Sequence, residues 1–255
     1  MGLINFILLY IFLIFIVPKE HLKKKDINLI KIIRENLPFL LIIIGVVLLH
    51  LIEVNLIDLH VTAWIGHDFA ENIKGFEGDL VFWFSQNWTP ALVYFFVLIY
   101  IAIYPFTLWF APAYFLITNN KKSLKTLAYG LLLIYMIALP FYLFLPITNV
   151  YTFYNQSSAL ETVIPTVEKF FYSTTTHNNC LPSLHTATTI LVAYSISLTK
   201  NKKFTYFGYF IMITVIISVI YLSIHWILDV IAGTLLSLGA ILLLKYFMRE
   251  KEKDE

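Results

Sequence analysis

The segment SVIYLSIHWILDVIAG, Ser218–Gly233, is a run of isoleucine, valine and leucine broken by one histidine and one aspartate four residues apart. A second segment, NNCLPSLHTATT, Asn178–Thr189, sets a proline, a serine and a histidine at the mouth of another apolar run. The whole chain has this character. Of its 255 residues 59% are hydrophobic and only 13% charged, and the mean hydropathy is +0.78. A soluble domain is nearer a quarter charged, so the composition is that of a membrane protein. In such surroundings a histidine or carboxylate is expensive to keep, and its presence needs a reason.

A helix that crosses a bilayer takes about 20 mostly apolar residues. Seven segments qualify, at 2–17, 38–57, 90–117, 127–147, 183–199, 205–224 and 229–247. The expected fold is therefore all-α, a polytopic membrane helical bundle. Residues 1–37 read as an extra N-terminal span with a basic loop, and 38–255 as a six-span core. The first segment is not a signal peptide by pattern, since its charges follow the apolar run and no small-x-small cleavage site closes it. The third carries Pro105 and Pro112, which predict a kink or tilt. Residues 60–88, with Trp64, Trp83 and Trp88 among acids and glycines, suit a partly helical element at headgroup level.

Charge alternates along the chain. Six of the 18 Lys and Arg lie in Lys19–Arg34, three in Lys121–Lys125, three in Lys200–Lys203 and four in Lys245–Lys253. The intervening 58–89 and 149–182 hold only Lys74 and Lys169, beside seven acids. Because cytoplasmic connections retain Lys and Arg, the expected N-terminus is outside and the C-terminus cytoplasmic. Both opening segments then face outward, with the plasma membrane as the expected location.

Local chemistry follows from position. Ser183, just after Pro182, is a plausible N-cap, which places His185 in the first helical turn, where backbone N–H groups and the helix dipole favour an anion. His225 and Asp229 are i and i+4, so the carboxylate can fix the imidazole tautomer while the other nitrogen attacks an electrophile. Ser218, seven residues before His225, shares that face if the helix is continuous. His177 and Cys180 resemble half a metal site, but the single cysteine excludes a multi-cysteine site and an internal disulfide. His50 and Glu53 are either a partnered polar pair or part of the site's lining. Lys169 is either a phosphate ligand or a solvated loop residue. A His/Asp relay in a transporter and a Ser183/His185 hydrolase are the competing readings. The first predicts ionisable groups near the midplane, and the second a nucleophile turn; neither is visible.

These residues resemble the type 2 phosphatidic acid phosphatase superfamily, the lipid phosphate phosphatases. Its P-S-G-H motif reads Pro182-Ser183-Leu184-His185 here. Its S-R-x5-H-x3-D motif reads Ser218-Val219, five residues, His225, three residues, Asp229. The resemblance implies a phosphohistidine on His225, oriented by Asp229, with His185 as the acid for the leaving alkoxide. It makes Ser183, Ser218 and Lys169 candidate phosphate ligands. The K-x6-R-P motif is missing, and Val219 and Leu184 replace the arginine and glycine. The motif PSLH, with Thr174–Thr176 ahead of it, is similar to the branch with fungal inositol phosphorylceramide synthases, which moves a phosphorylated headgroup between lipids. The expected partners are a lipid phosphoester, a lipid or water acceptor and the bilayer, with no nucleic acid, cofactor or metal.

Overall fold

The computed structural model describes residues 2–23, 29–165, 167–168 and 174–254. Among them the chain is all-α, with a single isolated bridge between Ile147 and Asn179. The principal helices are α1 (Gly2–Phe15), α2 (Ile30–Ile65), α3 (Ala70–Glu77), α4 (Leu80–Gln86), α5 (Pro90–Ile117), α6 (Lys121–Phe144), α7 (Leu184–Ser197), α8 (Lys202–Tyr221) and α9 (Ile227–Asp254). Five of them, α2, α5, α6, α8 and α9, are long and apolar enough to cross a membrane. The remaining two expected spans appear as α1 and α7, 14 residues each. At 1.5 Å per residue they are about 21 Å long, short of a ~30 Å hydrocarbon layer.

Side-chain caps set the helix starts. Asn120, Ser183 and Asn201 each accept a hydrogen bond from the backbone N–H three residues on, opening α6, α7 and α8. Pro90 takes the first position of α5, where its missing N–H costs nothing. The irregularity expected from Pro105 is a π-helical turn, Ile99–Ile103, which absorbs the hydrogen bond that proline cannot donate. The second expected span, 38–57, is extended in the structure. It passes through a π turn at Glu53–Ile57 and continues to Ile65, where Gly66 at φ +62 closes it in the left-handed region.

Helix α7 is central, packed against α8, α9 and α6. One end of the bundle is an aromatic core of Phe106, Phe110, Phe204 and Tyr114. Phe12 fastens α1 to it, edge-on to Phe106, Phe110 and Phe207 at 4.7–5.0 Å between centroids. The opposite end is roofed by α3 and α4, whose Ala70, Ile73 and Val81 pack with buried Trp226 and Cys180. Trp64 and Trp83 are exposed there, whereas Trp88 donates to the Tyr221 carbonyl at 2.8 Å.

Candidate active site

The N-terminus of α7 and the α8–α9 turn meet beneath this roof. Ser183, fully buried, accepts the Thr186 N–H at 3.3 Å through Oγ, and its own N–H donates to the Asp229 carbonyl at 3.0 Å. Pro182 is held by Tyr142, whose hydroxyl donates to the proline carbonyl at 2.6 Å. Helix α8 ends at Tyr221, with Ser223 at φ +57 turning the chain and the N–H groups of Ile224 and His225 both on the Val219 carbonyl. His225 therefore precedes α9 instead of riding on its face, a correction to the expectation that His225 and Asp229 share one helix face, and the helix that would bring Ser218 beside them is broken. The pair still forms, because Asp229 lies in the first turn of α9. Its Oδ2 accepts the Trp226 N–H at 2.9 Å and stands 3.3 Å from His225 Nδ1.

A carboxylate only accepts, so Nδ1 of His225 carries the proton and Nε2 presents its lone pair. That Nε2 lies 3.4 Å from Nδ1 of His185, and His185 Nε2 lies 3.0 Å from the Tyr100 hydroxyl. One set of tautomers satisfies every contact. Tyr100 donates to His185, His185 to His225, and His225 to Asp229. The contacts at 3.3 and 3.4 Å are long for hydrogen bonds. His225 is 4% exposed and Asp229 fully buried, so the chain of donors works away from bulk water.

Tyr100 was not legible as a site residue. It stands in the π turn of α5, and such turns recur at functional sites; its one sequence signal is Pro105 five residues later. Tyr104 follows on the same face, its ring 5.7 Å from His185 and its hydroxyl 2.7 Å from Thr188 Oγ1. Glu77 was also missed. Its carboxylate reaches from the end of α3 to accept the N–H groups of Ile227 and Leu228, capping the start of α9. Burial raises the pKa of Glu77, and those two N–H groups act against the rise.

The other sequence candidates are placed as follows. Ser218 is fully buried and its hydroxyl donates to the Val215 carbonyl of its own helix at 2.8 Å. Lys169 lies outside the described residues. Lys74 sits over the Phe153 and Tyr154 rings, 5.9 and 5.8 Å from their centroids. His50 and Glu53 do pair, with Nδ1 3.5 Å from Oε2. The buried Glu53 also accepts from Tyr135 at 3.4 Å and from Asn179 at 2.9 Å, and His50 Nε2 lies 3.1 Å from the Thr174 carbonyl. This network braces the loop that leads into Pro182. His177 turns to Thr152 Oγ1 at 3.1 Å, and burial lowers its pKa. Cys180 joins His225 and Asp229 instead, with ligand atoms of the three within 4.8 Å of one another. They could hold a metal ion, but only by engaging the same imidazole and carboxylate that pair with each other.

A close approach sets the spacing of the two segments. A Cβ on Gly233 would run into the Ser183 carbonyl oxygen and come within 3.2 Å of Thr186 Cβ. Gly233→Ala is expected to push α9 off the α7 cap and cost about 1–3 kcal/mol, the range for overpacking a tight contact. Thermal unfolding in detergent, beside Gly239→Ala where nothing lies within 4 Å of the new methyl, checks this.

The chain matches the family model of the PAP2 superfamily over residues 76–243, a stretch that contains Tyr100, His185, His225 and Asp229. Neither a curated protein nor a solved structure gives a significant match. With more than half of its length matched, and with all four of these side chains inside the matched stretch, this chain belongs to the PAP2 superfamily.

Proposed function

We propose that the protein is an integral-membrane lipid phosphotransferase that works through a phosphohistidine on His225 and moves a headgroup from a phosphodiester lipid to an alcohol acceptor. The observation that carries this reading is the ordered chain Tyr100–His185–His225–Asp229, which aims one unprotonated imidazole nitrogen at one imidazole N–H. Nε2 of His225 attacks phosphorus, and the bond to the departing lipid oxygen breaks. His185 gives its Nδ1 proton to that oxygen. An acceptor alcohol then loses its proton to His185 and attacks the phosphohistidine, which restores both imidazoles. For a phosphoryl group to enter, the 3.4 Å separation of the two nitrogens must open to about 5–6 Å, the sum of an attack distance and a hydrogen bond. The start of α7 and Ser183 then face the phosphate oxygens.

The preference for a diester comes from charge. The only arginines are Arg34 and Arg249, and Arg249 lies 20 residues along α9 from Asp229, about 30 Å away. Water in place of the alcohol gives a lipid phosphatase acting on phosphatidate or a polyprenyl phosphate by the same first half-reaction. Purified protein given a phosphodiester lipid, with and without an alcohol acceptor, separates the two. A new phospholipid identifies transfer, and inorganic phosphate from phosphatidate identifies hydrolysis.

Orientation belongs to the same reading, with the site on the extracytoplasmic side. With Cys180 replaced, a cysteine at exposed Gly75 should react with an impermeant maleimide in intact cells, and one at exposed Lys202 should not. The reverse labelling pattern puts the site on the cytoplasmic face.

A further inference from the structure

At the end of the bundle opposite the two histidines lies a cavity of about 530 Å³. The extra N-terminal helix builds one wall of it, and the loops before α6 and α8 build the others. Lys19, His21, Lys200 and Lys203 line it, together with Asn120 and Asn201, and no carboxylate does so among the described residues. The described ion pairs leave the three lysines without an acidic partner. Two long helices begin at this cavity, α6 behind Asn120 and α8 behind Asn201, so their positive ends add to the lysines.

One further observation separates this place from a merely basic surface. Asn201 ties the first helix to the bundle at this spot, donating through Nδ2 to the Ile16 carbonyl and to the Tyr114 hydroxyl, each at 2.8 Å. The cavity thus depends on α1 being docked. Its wall continues into Ile14 and Phe15, which are 45% and 62% exposed on α1 and face outward as lipid-contacting residues do.

We infer that this cavity binds the phosphate headgroup of an anionic phospholipid in the leaflet remote from the active site, and that the additional first helix serves to complete it. The lysines and the two helix ends supply the anion site. Ile14 and Phe15 carry the acyl chains away from it, which favours a lipid over a soluble phosphate. The inference is independent of the phosphohistidine scheme, since none of its residues touches His185 or His225.

Native mass spectrometry of the delipidated full-length protein, titrated with phosphatidylglycerol or phosphatidylcholine, tests it. Phosphatidylglycerol should bind at least tenfold more tightly. A lysine near a membrane anion is worth roughly a fivefold change, so Lys200→Gln with Lys203→Gln should weaken phosphatidylglycerol about 30-fold. Lys31→Gln, which removes one positive charge at a residue outside the cavity, should leave it unaltered. Unchanged thermal midpoints show that the variants remain folded. Equal binding of the two lipids, or an equal loss in Lys31→Gln, overturns the proposal. So does displacement of the lipid by inorganic phosphate at matched concentration, which makes a soluble anion the ligand.

Discussion

Replacing His225 by alanine is expected to abolish turnover, because in the proposed scheme no other described residue presents an unprotonated nitrogen to take the phosphoryl group. The neighbouring substitutions should fail in graded ways that the geometry dictates. In Asp229→Asn the amide oxygen can occupy the Oδ2 position, where it still receives the Trp226 N–H at 2.9 Å and the His225 Nδ1 proton. The tautomer of His225 then survives and only the negative charge is lost. The expected fall in kcat is about two to three powers of ten, the scale of one lost electrostatic contact in a dry site. The amide nitrogen goes to the Oδ1 position, which is buried and has no hydrogen-bond partner, so some loss of stability should accompany it. His185→Ala should lose roughly two to four powers of ten with an alkyl leaving group, as removal of a general acid does. Much of that loss should vanish with p-nitrophenolate, which leaves without a proton. Single-turnover assays on folded variants check the order. Near-normal activity in His225→Ala would remove the phosphohistidine scheme.

The second large effect concerns substrate charge. A phosphomonoester carries nearly two negative charges at neutral pH and a phosphodiester one. Three cationic positions expected from the family motifs are absent from this sequence, and Arg34 and Arg249 belong to the basic end of the bundle. Among the described residues, what surrounds His225 is neutral or acidic: Tyr100, His185, Ser183, Asp229 and, one helix turn away, Glu77. A charged hydrogen bond missing from the second phosphate charge costs about tenfold or more. The kcat/KM for an inositol- or glycerol-phosphodiester lipid should therefore exceed that for phosphatidate by at least about one power of ten. A preference for phosphatidate with stoichiometric release of inorganic phosphate reverses this conclusion and makes the protein a hydrolase of phosphomonoesters.

Sequence by itself determined the features whose hydrogen bonds and contacts close within a few residues. Apolar runs of sufficient length gave the membrane helices, because an unpaired backbone in hydrocarbon leaves helix as the available form. Ser183 capping the third amide beyond it, and Asp229 reaching His225 four residues back, are short-range events. Ser218 would share that face only along an unbroken helix, and the chain turns at Ser223 instead.

Only tertiary structure decided what α7 meets. His185 and His225 are 40 residues apart and touch because α9 passes so close to the α7 cap that Gly233 has no room for a side chain. Tyr100 reaches His185 across 85 residues from a π turn, Glu77 caps α9 across 150, and Glu53 grips Asn179 across 126. These pairings follow from how helices pack, and packing depends on the shape of every surface in contact at once. No local pattern of residues carries that information.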